Sequence, residues 1–552
     1  MKNLTLVLFL FLITVHILAQ EPEWIWAQSA GGLNDDCAYG LATDSAGNSY
    51  VTGEFRNTAT FGSIEIISQS YVDVFIAKAD PDGNWLWANC AEGTDSERGY
   101  GISIDAAGNS YIVGSFRGTA TFGSDSITSI DNLNDVFIAK ADPDGNWLWA
   151  RRCGAKWGNS ITTDDDGTSY ITGYFGITSN GDFGSTTLTC LGSYDIFAAK
   201  LDTNGNWLWA EQAGGQDEDY AWGISSDNNG NSYITGYFMT ASVFHVCYFG
   251  DIELLSDSGY DIFVAKLDPN GNWLWAVNEG DDNHDYSYEI STNSNGVSFI
   301  IGEQSIPSDI GGDNLAFSGT YVASINSSGN WLWGAETNGT AARYGQDVCA
   351  DDYGNCFAAG YFFGDANFGP YTLDGSNITS DTFAAKLDSN GDWLWAVNSG
   401  GGSTNRGYGI GVDGISNYYV TGDFLYTFNC GPHSLPSNGG GDIFVAKLGN
   451  DTSAENEIIP AKLELSNYPN PFNPATTISF SVTRNSDFVD LSIYNIKGQL
   501  VKQLINDQLL EGQHSLVWNG RDDREQPVES GIYLYQLKTG NNVVSRKMIL
   551  LK

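Results

Sequence analysis

At 552 residues with a net charge of −42, the chain is longer than one hydrophobic core usually organises, and its acidity excludes nucleic-acid phosphates and anionic membrane as natural partners. The charge is uneven: residues 463–552 hold 9 basic and 9 acidic side chains, whereas residues 20–462 hold 15 basic against 58 acidic ones. Such a body attracts cations or basic partners, or simply stays soluble in a salty exterior.

The predicted elements begin with Met1-Lys2-Asn3, an apolar run from Leu4 to Leu18 and a small Ala19. This is the pattern of a cleavable signal peptide over residues 1–19, with Gln20 as the mature N-terminus. An uncleaved anchor is the alternative, but the run is short against the ~20 residues that a membrane helix needs. No later apolar stretch approaches that length, so no transmembrane helix is expected in the mature chain.

Across residues 20–448 four short patterns recur in fixed order, with a period of roughly sixty residues. The first is a small-residue strand ending in Asp, as at Gly40–Asp44, Gly101–Asp105, Gly223–Asp227 and Gly409–Asp413, with looser copies at Ser160–Asp164, Glu289–Asn293 and Asp347–Asp351. The second, Tyr/Phe-x-x-Gly, occurs seven times, from Tyr50–Gly53 to Tyr419–Gly422. The third is Asp-x-Phe-x-Ala-Lys, from Asp73–Lys78 to Asp442–Lys447, with a decayed copy at Tyr321–Asn326. The fourth is Trp-x-Trp, which holds fourteen of the seventeen tryptophans. Each pattern is β-rich and bounded by Gly, Asn, Asp or Pro, as strands between tight turns require. Four strands per repeat and seven repeats predict an all-β, seven-bladed β-propeller.

The chain opens with an orphan fourth strand at Trp24–Ala27, and its last repeat stops after the third at Lys447. Pairing those two segments would close the ring without exposed edges, with the Trp strand outermost and the Gly-Ile strand along the axis. The repeated Trp side chains are expected to pack between blades, both faces of which neighbours cover. A sugar-stacking platform is the rival reading. The repeated Lys78, Lys140, Lys200, Lys266, Lys386 and Lys447 are expected to pair with a repeated Asp, since a buried unpaired ammonium is costly.

The loops from each Trp strand to the next axial strand carry Asp35 and Asp36, Asp95 and Glu97, Asp217 and Asp219, then Asp281 and Asp282. Gathered on one propeller face, these carboxylates form the candidate binding site and would suit Ca²⁺, with a solvated acidic rim as the alternative. No cofactor is required by any motif. Eight cysteines lack Cys-x-x-Cys spacing; Cys349 and Cys356 flank the turn at 352–355 and are the one predicted disulfide pair. The five histidines show no metal-ligand spacing, and no nucleophile–base or phosphate-loop pattern appears.

Residues 449–462 form a polar linker, and the composition changes at Leu463. Alternating segments at 477–482, 490–494, 500–504, 514–518, 532–537 and 543–550 predict a small antiparallel sandwich over 463–552.

The repeat, written Gly-Ile-x-x-Asp, Gly-Asn-x-Tyr-x-x-Gly, Asp-x-Phe-x-Ala-Lys-x-Asp-x-x-Gly-Asn, resembles over residues 24–447 the bacterial β-propeller repeat family abbreviated SBBP. That family has no shared enzymatic activity, so the resemblance implies a fold and little more. The C-terminal segment carries Tyr468-Pro469-Asn470-Pro471, Leu491–Gly498, Trp518–Gly520, Gly531–Tyr535 and Lys547–Lys552. It resembles the type A C-terminal sorting domain of the type IX secretion system, an immunoglobulin-like sandwich related to the FlgD-like domain. Tyr468, Pro469, Asn470, Pro471, Gly498, Gly531 and Lys547 are the sorting-signal residues this resemblance implies. It implies recognition by an outer-membrane translocon and a secreted or cell-surface location in a bacterium with two membranes. A plain accessory sandwich is the alternative.

The expectation is therefore an exported binding or scaffold protein whose extracellular ligand is a glycan or a basic protein, and not an enzyme. The alternative is a secreted polysaccharide hydrolase with paired carboxylates on the propeller face. A nonrepeated polar cluster in one deep pocket would favour the enzyme, and a broad acidic face would favour binding.

Overall fold

The computed structural model describes residues 21–449 and 465–551, apart from 131–132, 178–179, 241–244, 257–258, 281–282, 305–307, 311–312, 316–317, 401–402, 414–416, 469, 471, 483–486, 496, 498, 510–511, 525 and 540–541. The predicted signal peptide, most of the linker, and Asp281, Asp282, Pro469, Pro471 and Gly498 lie outside the described residues. The chain divides into two compact units, Met1–Asp451 and Thr452–Lys552. Every element of the described residues is a strand, and among them no helix is long and apolar enough to cross a membrane.

The first unit is built of four-stranded antiparallel sheets that follow the sequence patterns in order. In one, Cys37–Thr43, Ser49–Phe55, Asp73–Ala79 and Trp85–Cys90 lie side by side, and Ser96–Ile104, Ser110–Arg117, Asp135–Ala141 and Trp147–Cys153 repeat the arrangement. The N-terminal strand Glu23–Gly31 pairs with His433–Gly449, setting Trp26 opposite Lys447 and Ala27 opposite Ala446. That is the register in which Trp87 faces Lys78 and Trp149 faces Lys140 within continuous repeats. The Gly-Ile strands pack on one another in succession from Cys37–Thr43 onward, and the last of them, Asn405–Val412, packs against Cys37–Thr43.

Local chemistry explains the turns. In Asp80–Asn84 the Asp80 carboxylate accepts the backbone N–H groups of Asp82 (3.0 Å) and Asn84 (2.8 Å), and Gly83 takes a φ of +84° that a side chain would resist. A second constraint acts on the same glycine: a Cβ there would stand 2.9 Å from the Trp26 ring of the preceding sheet. The Trp26 indole N–H donates to the Pro81 carbonyl at 2.9 Å. The same bond recurs from Trp87 to Pro143, Trp149 to Thr203, Trp209 to Pro269, Trp275 to Ser327 and Trp333 to Ser389. In six of the seven pairs the second tryptophan is thus a joint between sheets. The residue between the pair faces solvent instead: Leu86 is 50 % exposed, so neighbours cover the outer strand on one face and not on both.

Three of the repeated lysines hydrogen-bond to a different partner from the one expected. Lys140 lies 3.7 Å from Asp105, as predicted. Lys200, Lys266 and Lys447 instead donate to the backbone carbonyls of Pro269, Ser327 and Pro81, at 3.2, 3.3 and 3.1 Å. Their ammonium groups sit 4.7–5.2 Å over the rings of Tyr170, Tyr233 and Tyr419. Lys78 takes the same place over Tyr50, whose hydroxyl donates to Asp44 at 3.2 Å. Aspartate and lysine therefore meet through a tyrosine, which shares the desolvation cost between a ring face and a carbonyl dipole.

One element was absent from the expected four-strand repeat. Between the second and third strands runs a short hairpin, such as Thr58–Phe61 with Ile64–Ile67, whose first arm pairs with the outer strand of the preceding sheet at Ala30↔Phe61. Ala213↔Phe249 and Thr337↔Phe368 repeat that link. Phe61, Phe122 and Phe183 stand edge-on to Trp85, Trp147 and Trp207 at 5.0 Å. This hairpin accounts for the long repeat period.

All eight cysteines are free, which corrects the predicted Cys349–Cys356 bridge. Cys349 pairs in register with Phe357, and Cys356 with Ala350, so the two thiols point to opposite faces of the hairpin and enter different hydrophobic clusters.

The second unit has two sheets. Leu465–Tyr468, Thr476–Val482 and Gly512–Trp518 form one, and Leu500–Leu509, Asp487–Asn495, Gly531–Thr539 and Asn542–Leu550 form the other. Between them Phe472, Ile478, Ile493, Trp518 and Leu550 are buried, as the alternating pattern required. Asn470 donates to the Lys547 carbonyl at 3.2 Å and accepts the Ile549 N–H at 2.9 Å, which ties it to the last strand.

Removing the Trp149 ring leaves a cavity at a joint, and Trp149→Ala is expected to cost about 3–5 kcal/mol. Trp149→Phe keeps most of the packing but loses the bond to Thr203, at a cost of about 1 kcal/mol. Urea unfolding midpoints of the two variants measure the difference, and equal midpoints would contradict the joint.

Candidate functional site

Among the described residues the acidic loop side chains do not share one pocket, because each is used at its own junction between sheets. Asp36 is buried and accepts the N–H groups of Gly32 (2.7 Å) and Arg56 (2.9 Å); burial pushes its carboxyl up to about 7. Glu97 is buried beside Asp73, and desolvation, with that neighbour's help, lifts it to about 9. Asp219 accepts the Gly215 N–H at 2.7 Å and is raised by burial to about 8. Asp35 accepts the Gly441 N–H at 3.0 Å, Asp95 pairs with Arg117 at 2.7 Å, and Asp217 lies 2.7 Å from His245. Among the described residues no three His, Cys, Asp or Glu side chains are grouped to hold a metal ion.

A rule underlies the buried three. Each stands four residues before the central position of its axial strand and faces the Asp that opens the third strand of the preceding sheet: Asp36 faces Asp442, Glu97 faces Asp73, and Asp219 faces Asp195. Where Gly319 stands in place of that Asp, the facing position carries Arg343, whose guanidinium fills the space a Cβ on Gly319 would take.

The site with the strongest geometry is on the axis. A cavity of about 720 Å³ is lined by the Gly-Ile strands of successive sheets. The central position of these strands is Gly40, Gly101, Gly223 and Gly409 in the regular copies, because the backbones approach closely: a Cβ on Gly40 would lie 2.8 Å from the Tyr100 carbonyl oxygen. The looser copies place Ser160, Glu289 and Asp347 there, so the departures from the repeat put two carboxyl groups in one cavity. Glu289 accepts the Ser160 hydroxyl at 3.4 Å and the Ile290 N–H at 3.1 Å, and a Cβ on Gly223 would stand 2.6 Å from the carboxylate oxygen. Glu289 thus reaches across two neighbouring sheets. Asp347 accepts the N–H groups of Val348 and Ile410, each at 2.7 Å. Burial raises the pKa of both, and the Asp347 charge raises Glu289 further.

Aromatic side chains surround these acids. Tyr39 lies 5.7 Å from Tyr100 and 5.6 Å from Tyr408, Tyr100 lies 5.9 Å from Trp157, and Trp222 lies 5.9 Å from Tyr288. Glu303, raised by burial to about 7, completes the acidic lining, and among the described residues no Lys, Arg or His lines the cavity. Behind the ring stand the ion pair of Arg98 with Glu54, and Arg406, whose charge acts on Asp423. Sequence reasoning missed this site. Its signal was present in the irregular copies beginning at Ser160, Glu289 and Asp347, and in the residue preceding the central position, which is Tyr39, Tyr100, Trp222, Tyr288 and Tyr408 in five of them.

A β-propeller repeat model matches residues 25–54, and a FlgD Ig-like domain model matches residues 468–542. An uncharacterized WD repeat-containing protein of Acanthamoeba polyphaga mimivirus is 24% identical over 514 residues, covering 74% of this chain, which in turn spans 36% of that protein's length. The crystal structure of the RRP9 WD40 repeats covers 78% of this chain and 99% of its own at 8% identity and a TM-score of 0.43. The Dos1 propeller covers 78% and 95% at 7% identity and a TM-score of 0.37.

The junction carboxyls make stability depend on pH. Asp36, Glu97 and Asp219 hold protons in the folded chain that the unfolded chain releases from about pH 4 upward. Their contribution is complete below that pH and is lost as pH rises through about 7 to 9. Turn carboxylates act oppositely: the side-chain and backbone N–H groups of Asn272 hold Asp268 below the ordinary value, so its contribution is lost only in stronger acid. The melting temperature is expected to fall by on the order of several degrees between pH 5 and pH 9. Asp219→Asn should flatten part of that fall, and a melting temperature that rises over the range would refute the assignment.

Proposed function

We propose that the protein is an exported binding scaffold: a closed, seven-bladed propeller that takes a ligand at its axis and is delivered to the cell surface or medium by its C-terminal sandwich. The observation that carries the binding half is the axial cavity, where the repeat rule is broken to place Glu289 and Asp347 inside an aromatic wall. Ligand sites commonly occupy such concave, largely apolar pockets with a few convergent polar groups. Closure is supported by the shared register of the Glu23–Gly31 strand and by the contact of Asn405–Val412 with Cys37–Thr43.

The nonrepeated pair of acids in one cavity is the arrangement expected of a polysaccharide hydrolase, but the chemistry of the pair makes that the weaker reading. Glycoside hydrolysis needs one carboxyl group kept protonated beside another kept ionised. Burial raises both Glu289 and Asp347, and among the described residues no cationic side chain lines the cavity to hold either one ionised. Binding demands less of the pair.

The export half rests on the FlgD Ig-like match over residues 468–542 and on the type IX sorting pattern quoted above. The partner it implies is the outer-membrane translocon of a two-membrane bacterium. A reporter fused to residues 463–552 in a host competent for type IX secretion is expected on the surface or in the medium, and its retention in the periplasm would remove the sorting role. For the binding half, a thermal-shift screen of the full chain against soluble glycans and amines should yield a compound that raises the melting temperature of the wild type and not of Trp222→Ala/Tyr288→Ala. A screen in which nothing shifts the wild type would leave no binding function at the axis.

A further inference from the structure

The geometry points to an organic ammonium ion, a protonated primary amine on a linear chain, as the ligand of the axial cavity; this rests on the binding reading above. The walls offer two kinds of surface, aromatic faces from Tyr39, Tyr100, Trp157 and Trp222, and the carboxyl groups of Glu289 and Asp347. An alkylammonium ion uses both at once. Its charge and N–H donors meet the carboxylates, and its methylenes and the rim of its charge lie against rings whose faces are electrostatically negative.

The same chemistry already operates elsewhere in the molecule. Repeated lysine ammonium groups rest 4.6–5.2 Å above tyrosine rings at Lys78, Lys140, Lys200, Lys266 and Lys447, with carbonyl or carboxylate oxygens completing their contacts in Lys140, Lys200, Lys266 and Lys447. In the cavity the tyrosines and acids are present and the lysine is not. With no cation among the lining residues, ionising Glu289 and Asp347 leaves their charge uncompensated, and an entering ammonium supplies what is missing. The chain's net charge of −42 raises the local concentration of any cation near the mouth.

Two other ligand classes fit less well. Calcium takes six to eight oxygen ligands, whereas two carboxylates already bonded to backbone N–H groups, ringed by aromatic side chains, offer few. A neutral sugar would stack on the rings but gain only ordinary hydrogen bonds from the two acids, with no charge for them to pair with.

The test is titration calorimetry of the full chain at physiological ionic strength, with spermidine, calcium chloride and a neutral maltooligosaccharide as probes. Spermidine is expected to bind the wild type and to bind Glu289→Gln and Asp347→Asn at least about tenfold more weakly, as the loss of a charge-assisted hydrogen bond implies. Trp222→Leu, which leaves both acids in place, should also weaken it. Thermal melts establish that each variant is folded, and the Trp222 variant decides the matter should a carboxamide variant fail to fold. Spermidine affinity unchanged in the variants would mark diffuse binding to the acidic surface and overturn the inference. Maltooligosaccharide or calcium bound in a Glu289-dependent way, with spermidine not bound, would overturn the ammonium assignment while leaving the binding scaffold standing. No binding by any probe would remove the ammonium assignment, and the broader ligand screen would then decide the scaffold separately.

Discussion

One backbone carbonyl at the joint between successive sheets carries much of the structure. The Pro81 oxygen accepts the Trp26 indole N–H at 2.9 Å and the Lys447 ammonium at 3.1 Å, both from the preceding sheet. Pro269 does the same for Trp209 and Lys200, and Ser327 for Trp275 and Lys266. A carbonyl has two lone pairs, and here both are spent on a neighbour. The turn that presents it is held rigid by its own aspartate, and the glycine that completes the turn also makes room for the indole ring. A single five-residue turn therefore fixes its own shape, the spacing to the next sheet and the fate of two buried polar side chains.

That spacing governs the axis. Sheets joined at a fixed distance bring their inner strands so close that a Cβ at the central position of the regular copies would stand 2.6–3.1 Å from a neighbouring strand. A larger residue there must reach past a neighbour, as Glu289 does over Gly223 to Ser160. The cavity's chemistry follows from three such departures. The acidic loops meet the opposite fate: at each junction tight packing buries Asp36, Glu97 or Asp219 and turns a group that looked available for binding into a protonated structural one.

Most of the architecture was legible because the repeat is written in residue types whose local requirements are strict. Trp-x-Trp, Tyr-x-x-Gly and Asp-x-Phe-x-Ala-Lys each specify a strand, and the orphan Trp24–Ala27 announced its pairing with Asp442–Lys447. The hairpin from Thr58 to Ile67 was not legible, since its conserved feature is a lone Phe-Gly whose partners are a tryptophan in its own sheet and a strand edge in the previous one. Cys349 and Cys356 misled for a related reason. Their closeness in sequence is real, but a one-residue offset in strand register sends the two side chains to opposite faces.

The sequence by itself determined the strand order, the turns and the division into an acidic body and a nearly neutral C-terminal sandwich, because propensity, turn chemistry and net charge act over a few residues or over the whole composition. Only the tertiary structure decided which acids are spent and which line a cavity, and which oxygens the lysines find. Those outcomes depend on burial and on groups some fifty or more residues apart meeting across a sheet junction, as Trp26 and Pro81 do, and no local pattern encodes how far a neighbouring sheet stands from its partner.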